Sequence, residues 1–140
     1  MKPLSVFPDA QSNGATILRN ALAGRSEPYA DDAKVGTRVP GDRSPETPHL
    51  PYVMVRLDAA FSHGSMANAR CTLRVTIWHQ DPDQAHDLAQ LCQGLLIVHD
   101  GTLLRSVQPA TGPIPATDPA SGVDLSTFTV IANSRPTVLA

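Results

Sequence analysis

The stretch RVTIWHQDPDQAHDLAQLC, Arg74–Cys92, decides the fold, because its hydrophobic period changes at the HQDPD turn. Before the turn, CTLRVTIW alternates: Cys71, Leu73, Val75 and Ile77 fall on one side and Thr72, Arg74, Thr76 and Trp78 on the other. Side chains repeating every second residue are the mark of a half-buried strand. After Pro82, the apolar residues Ala85, Leu88, Ala89, Cys92, Leu95 and Leu96 recur at helical spacing, so a helix lays one stripe on the sheet.

The turn itself admits two readings. His79, Asp81, Asp83, His86 and Asp87 offer imidazole and carboxylate ligands of the kind that hold zinc or another divalent ion. Against this, Asp81 precedes Pro82 and Gln84 follows three residues on, the pattern of a helix cap with proline at the first helical position and a capping box. His86 and Asp87 are consecutive on a helix and point about 100° apart, which makes a shared ion awkward. The cap is the favoured reading; a small metal-dependent enzyme centred on His79, Asp81 and His86 is the alternative.

Working outward, FPDAQSNGATILRNALAG reads as a first helix, with Ala10, Gly14, Ile17, Leu18, Ala21 and Leu22 on one side and Gly24 placed to stop it. Residues 25–51 are rich in Pro, Gly, Asp and Ser and read as a long loop holding one short strand at KVGTRV. PYVMVRLDAA gives a strand with Val53, Val55 and Leu57 on one face and Tyr52, Met54 and Arg56 on the other. FSHGSMANA then connects it to the Cys71 strand as an extended hairpin.

Downstream, TLLRSVQ reads as a strand, residues 109–124 as a proline-rich loop, LSTFTVIAN as the last strand with Phe128, Val130 and Ala132 inward, and SRPTVLA as a tail. The order predicts an α+β domain over 1–140: an antiparallel or mixed sheet of four to five strands with two helices on one face.

Composition narrows the function. The chain has 140 residues and 41% hydrophobic residues, but only 4% aromatics and 13 prolines, so its single core is thin and built from aliphatic side chains. A net charge of −2 with interspersed signs argues against a dedicated DNA reader or a membrane-surface binder. Cys71 and Cys92 form no CxxC and no secretory leader is read, so a disulfide framework is not indicated and a reducing cytoplasm is expected. No apolar run approaches the ~20 residues of a membrane span.

Other chemistry-bearing residues are dispersed. His49, His63 and His99 sit in loops or at element ends, and Ser62, Ser65 and Ser106 lack a GxSxG elbow or a His and Asp partner in pattern. Cys92 lies on the apolar stripe, Asp31 and Asp32 in turn-forming sequence, and no glycine-rich phosphate loop occurs. Arg56, Arg74, Thr72, Thr76 and Trp78 make a polar and aromatic stripe on the outward sheet face. It is either a solvated surface or a contact surface, since Arg and Trp favour the centres of interfaces.

The succession FPDAQSNGATILRNAL, PYVMVRLDAA, RCTLRVTIWHQDPDQAHDLAQLCQGLL and GPIPATDPASGVDLSTFTVIAN resembles the tail terminator proteins of long-tailed bacteriophages, particularly those of actinobacterial hosts. The resemblance spans most of the chain and rests on scaffold features. It implies a virion subunit of the neck, assembled in the host cytoplasm, that forms a homohexameric ring, caps the tail tube, stops its polymerisation and meets the head connector. DNA would pass through the lumen without sequence-specific binding. No catalytic residue, metal or cofactor is implied. Contacts to neighbouring rings are expected from the loop Arg25–Pro51, with Arg38 and Arg43, and from the hairpin tip Phe61–Ala69, with Phe61 and Met66. Arg56, Arg74 and Trp78 are expected to face a subunit or the lumen. A head completion or connector protein of the neck is the neighbouring alternative.

Overall fold

The computed structural model describes residues 4–6, 9–38, 51–60, 69–119, 122–134 and 137–139. Helix α1 (Ala10–Ala23) starts where the Asp9 carboxylate accepts from Gln11 N at 3.0 Å and Ser12 N at 3.2 Å, and it ends at Gly24. Such a cap satisfies first-turn amides that have no partner within the helix. Strand β3 (Tyr52–Ala60) pairs antiparallel with β4 (Ala69–His79), which leads through the turn into helix α2 (Pro82–Ile97). β5 (Ser106–Thr117) and β6 (Asp124–Ser134) form a long hairpin, and β6 lies against β4. The short β2 (Lys34–Gly36) runs parallel to β3 at the far edge, giving a mixed sheet of order β2-β3-β4-β6-β5.

Both helices pack on the same side of this sheet, α1 over β3 and β4, α2 over β4, β6 and β5. The α+β architecture read from the sequence is therefore the one observed. Between the layers lie Val53, Val55, Leu73, Val75, Ile77, Phe128, Val130 and Ala132 from the strands, and Leu18, Leu88, Ala89, Cys92 and Leu96 from the helices. Burying an aliphatic side chain of this size stabilises by about 1.5–3 kcal/mol. Gly14 sets the approach of α1, because a Cβ there would lie 3.2 Å from the Leu73 and Val55 side chains. Leu57, expected inward with Val53 and Val55, is 47% exposed; it lies at the start of the β-bulge between Leu57 and Ala59, and its amide donates to Gln11 Oε1 at 2.7 Å.

Several segments differ from their sequence reading. Residues 109–117 are not loop but the greater part of β5. Prolines are admitted because β5 is an edge strand, and the register slips between Pro109 and Thr111 and again between Thr111 and Ile114. There the Thr111 hydroxyl accepts from Thr129 N at 3.1 Å, filling a gap in the ladder. β5 ends at Thr117 and β6 begins at Asp124. TLLR, residues 102–105, is a bend rather than a strand, held by Asp100 on Thr102 and by the His99 ring on Leu103 N. The expected tail contains β7 (Thr137–Leu139), which pairs antiparallel with an unexpected β1 (Leu4–Val6) in a separate two-stranded ribbon. The long loop at 25–51 holds a 3₁₀ turn at Pro28–Ala30 as well as β2. No helix among the described residues is long and apolar enough to cross a membrane.

Candidate functional site

The corner after β4 is a structural joint. Asp81 Oδ1 accepts from Asp83 N at 3.1 Å, Pro82 opens α2, and Ala85 N donates to Asp81 O. The cap read from the sequence is present, but its reciprocal half differs: Asp81 N donates to His79 Nδ1 at 3.3 Å, while Gln84 is exposed. The other ring nitrogen, His79 Nε2, lies 3.1 Å from the Tyr29 carbonyl. Both contacts are satisfied when the proton sits on Nε2, so that Nε2 donates to Tyr29 O and Nδ1 accepts from Asp81. His79 is 7% exposed and ties the 3₁₀ turn, the end of β4 and the start of α2 together.

Each His79 nitrogen is thus engaged by backbone, and His86 is exposed on the helix. Among the described residues no group of three or more His, Cys, Asp or Glu side chains is placed to hold a metal ion. The proposed trio of His79, Asp81 and His86 is not gathered. Cys92 is fully buried and desolvation pushes its thiol up to about 12, the condition of an inert core cysteine. Burial also raises the Cys71 thiol.

On the sheet face away from the helices, the register aligns rows across the strands. Arg56 stands opposite Arg74, and Arg74 opposite Thr129; Met54, Thr76 and Thr127 form the next row. Two like charges directly opposed repel. Here each has its own acceptor: Arg74 makes a two-pronged contact with Asp58 at 3.1 and 3.2 Å, and Arg56 Nη1 donates to Thr37 O at 3.2 Å. Both arginines are exposed, and Thr76 and Thr127 are half-buried beside them. No described helix covers this side.

Trp78 departs from the expectation of an open contact residue. It does point to the outer side, yet it is 4% exposed. Tyr52 packs edge-on against it with centroids 5.8 Å apart, and its Nε1 donates to the buried Asp118 at 2.9 Å. Asp118, the residue after β5, thus supplies the acceptor that an indole N–H in a dry setting needs. Asp118 is the participant that the sequence reading places in a loop, its signal an Asp before Pro119 in a turn-rich stretch; Tyr52 is read on the outward face of its strand but not beside Trp78.

Arg38 is described and exposed, beside the outer end of β2. Arg43, Phe61 and Met66, with His49, His63, Ser62 and Ser65, lie outside the described residues. No family model matches the chain, and no curated protein matches it.

Proposed function

We propose that this chain is a structural virion subunit, a tail terminator that assembles as a ring, caps the tail tube and joins the tail to the head connector. The observation that carries the reading is the layer arrangement. Two helices occupy one side of a five-stranded sheet, and the other side presents exposed arginines and half-buried threonines with no described helix packed on it. A face of this composition suits a protein contact, in which Arg anchors and hydroxyls are enclosed by the partner. The sequence resemblance supplies the identity of that partner. Termination then follows from geometry: a ring with two unlike faces binds the last tube ring on one side and offers no complementary surface to another tube subunit on the other.

The test is assembly. The purified chain is mixed with tail tube protein and imaged by cryo-electron microscopy, with mass photometry for stoichiometry. The reading expects a hexameric ring at one tube end and arrested tube growth. Binding to portal-side protein but not to tubes reassigns the chain to the head completion or connector role, and a subunit indifferent to both overturns the proposal.

A further inference from the structure

We infer that the groove between α1 and β2 is a docking site for an extended, acidic peptide segment of a partner protein, which adds a strand to the β2 edge. The sheet has two edges, and they are not equivalent. The β5 edge carries Pro109, Pro113 and Pro115 and two register slips, devices that bar an incoming strand. β2 has no proline and no bulge in its short pairing with β3.

On β2, Lys34 N donates to Pro51 O, inside the sheet. Peptide groups of successive strand residues point to opposite sides, so the N–H and C=O of Val35 point away from β3, to the side where no described strand lies. That carbonyl is held by Arg19 Nη2, reaching across from α1 at 2.9 Å. Arg19 thus spans the groove as a removable cap. On either side of it are hollows of about 430 Å³, toward Lys34 and the 3₁₀ turn, and about 370 Å³, toward Gly36 and Arg38. Together they run the length of β2, room for an extended chain beside it.

Charge selects the occupant. The hollow at the Lys34 end is mixed in charge, with Asp31 and Asp32 beside Arg25 and Lys34 and the Lys34 ammonium 3.4 Å from Asp32. The hollow at the Gly36 end, in contrast, is lined by Arg19 and Arg38 with Ser12, Thr16, Thr37 and Tyr52, and by no carboxylate, so the acidic side chain belongs at that end. Three of its four hydroxyls are already donating: Ser12 to Asp9, Thr16 to Ser12 O and Tyr52 to Arg38 O. The guanidinium groups are the charged donors of the hollow, and a carboxylate is the planar acceptor they match. An acidic side chain of the incoming strand draws Arg19 off Val35 O, and the freed carbonyl and amide of Val35 then pair with its main chain.

The experiment pans a displayed library of random peptides against the full chain, then measures one enriched peptide by fluorescence anisotropy and by amide exchange. Expected are enriched sequences with Asp or Glu in a proline-free core, slowed exchange at the Val35 amide, and affinity lowered at least about tenfold by Arg19→Glu. Arg19→Ala retains strand addition but no longer prefers an acidic peptide to its Lys-substituted counterpart, which keeps the idea testable if the reversed charge perturbs folding. Enrichment of neutral or basic peptides, no enrichment, or binding that leaves Val35 exchange unchanged overturns it.

Discussion

The indole of Trp78 and the carboxylate of Asp118 meet at 2.9 Å with both side chains buried, so the last outward residue of β4 is fastened to the turn that closes the β5–β6 hairpin. An outward-facing aromatic is thereby converted into the centre of a second, small packed cluster with Tyr52. Trp78→Phe retains most of the ring but leaves the Asp118 oxygen without this donor. A loss of about 2–3 kcal/mol is expected in urea unfolding, and Asp118→Asn, which keeps an acceptor, costs less. Equal tolerance of both changes would contradict the fastening role.

His79 and His86 separate the joint from a metal centre. His79→Ala removes the acceptor for Asp81 N and the donor to Tyr29 O, and a loss of about 1–3 kcal/mol is expected. His86→Ala, on the exposed side of α2, stays within about 0.5 kcal/mol of the parent. Zinc or chelator leaves the parent's melting temperature unchanged in calorimetry; a chelator-sensitive transition lost in both variants would restore the metal reading.

What was legible in the sequence was whatever a single period governs. The alternation of Cys71–Trp78 and of Phe128–Ala132, and the helical stripe from Ala85 to Leu96, follow from burial of one face, and burial is written locally. Pro109–Thr117 was not legible, since whether a proline-bearing stretch can be a strand depends on its being at the sheet edge, a fact set by distant strands. The β1–β7 pairing joins residues at opposite ends of the chain and leaves no local mark. The same holds at the corner. Asp81 as a cap could be read from its neighbours, but the fold of the 3₁₀ turn brings Tyr29 to His79, and with it the reason the histidine is buried.

The division of labour at that corner gives its own expectation. Asp81 provides the carboxylate to Asp83 N, whereas the return contact to Asp81 N comes from His79 rather than from Gln84. Asp81→Ala is expected to cost about 1 kcal/mol by thermal unfolding, and Gln84→Ala less than about 0.5 kcal/mol. Comparable losses from the two would mean that the capping box is closed by Gln84 in solution.

Arg56 and Arg74 stand opposite each other, and Asp58 compensates one of them. Asp58→Asn leaves the repulsion less balanced, so a loss of about 0.2–1 kcal/mol is expected, modest because the pair is exposed. Screening sets the sign of the salt effect: the deficit shrinks as ionic strength rises. A deficit independent of salt would show that Asp58 acts through packing instead.

Cys92 predicts how stability changes in alkali. Burial holds its thiol at about 12 in the folded chain against an ordinary 9.0 once unfolded. The folded value is raised, so below 9.0 both states keep the proton and the full stability is present. Between 9.0 and about 12 only the unfolded chain releases its proton, and stability falls with rising pH by up to ~1.4 kcal/mol per unit. Cys92→Ala, although destabilised by the cavity at neutral pH, shows a shallower decline over this window in urea titrations. In the native state at pH 8, neither Cys92 nor the buried Cys71 reacts rapidly with a thiol reagent, and both react after denaturation. Rapid native labelling of Cys92, or an alkaline slope unchanged by its removal, would show that the helix α2 stripe is not closed over the sheet as described.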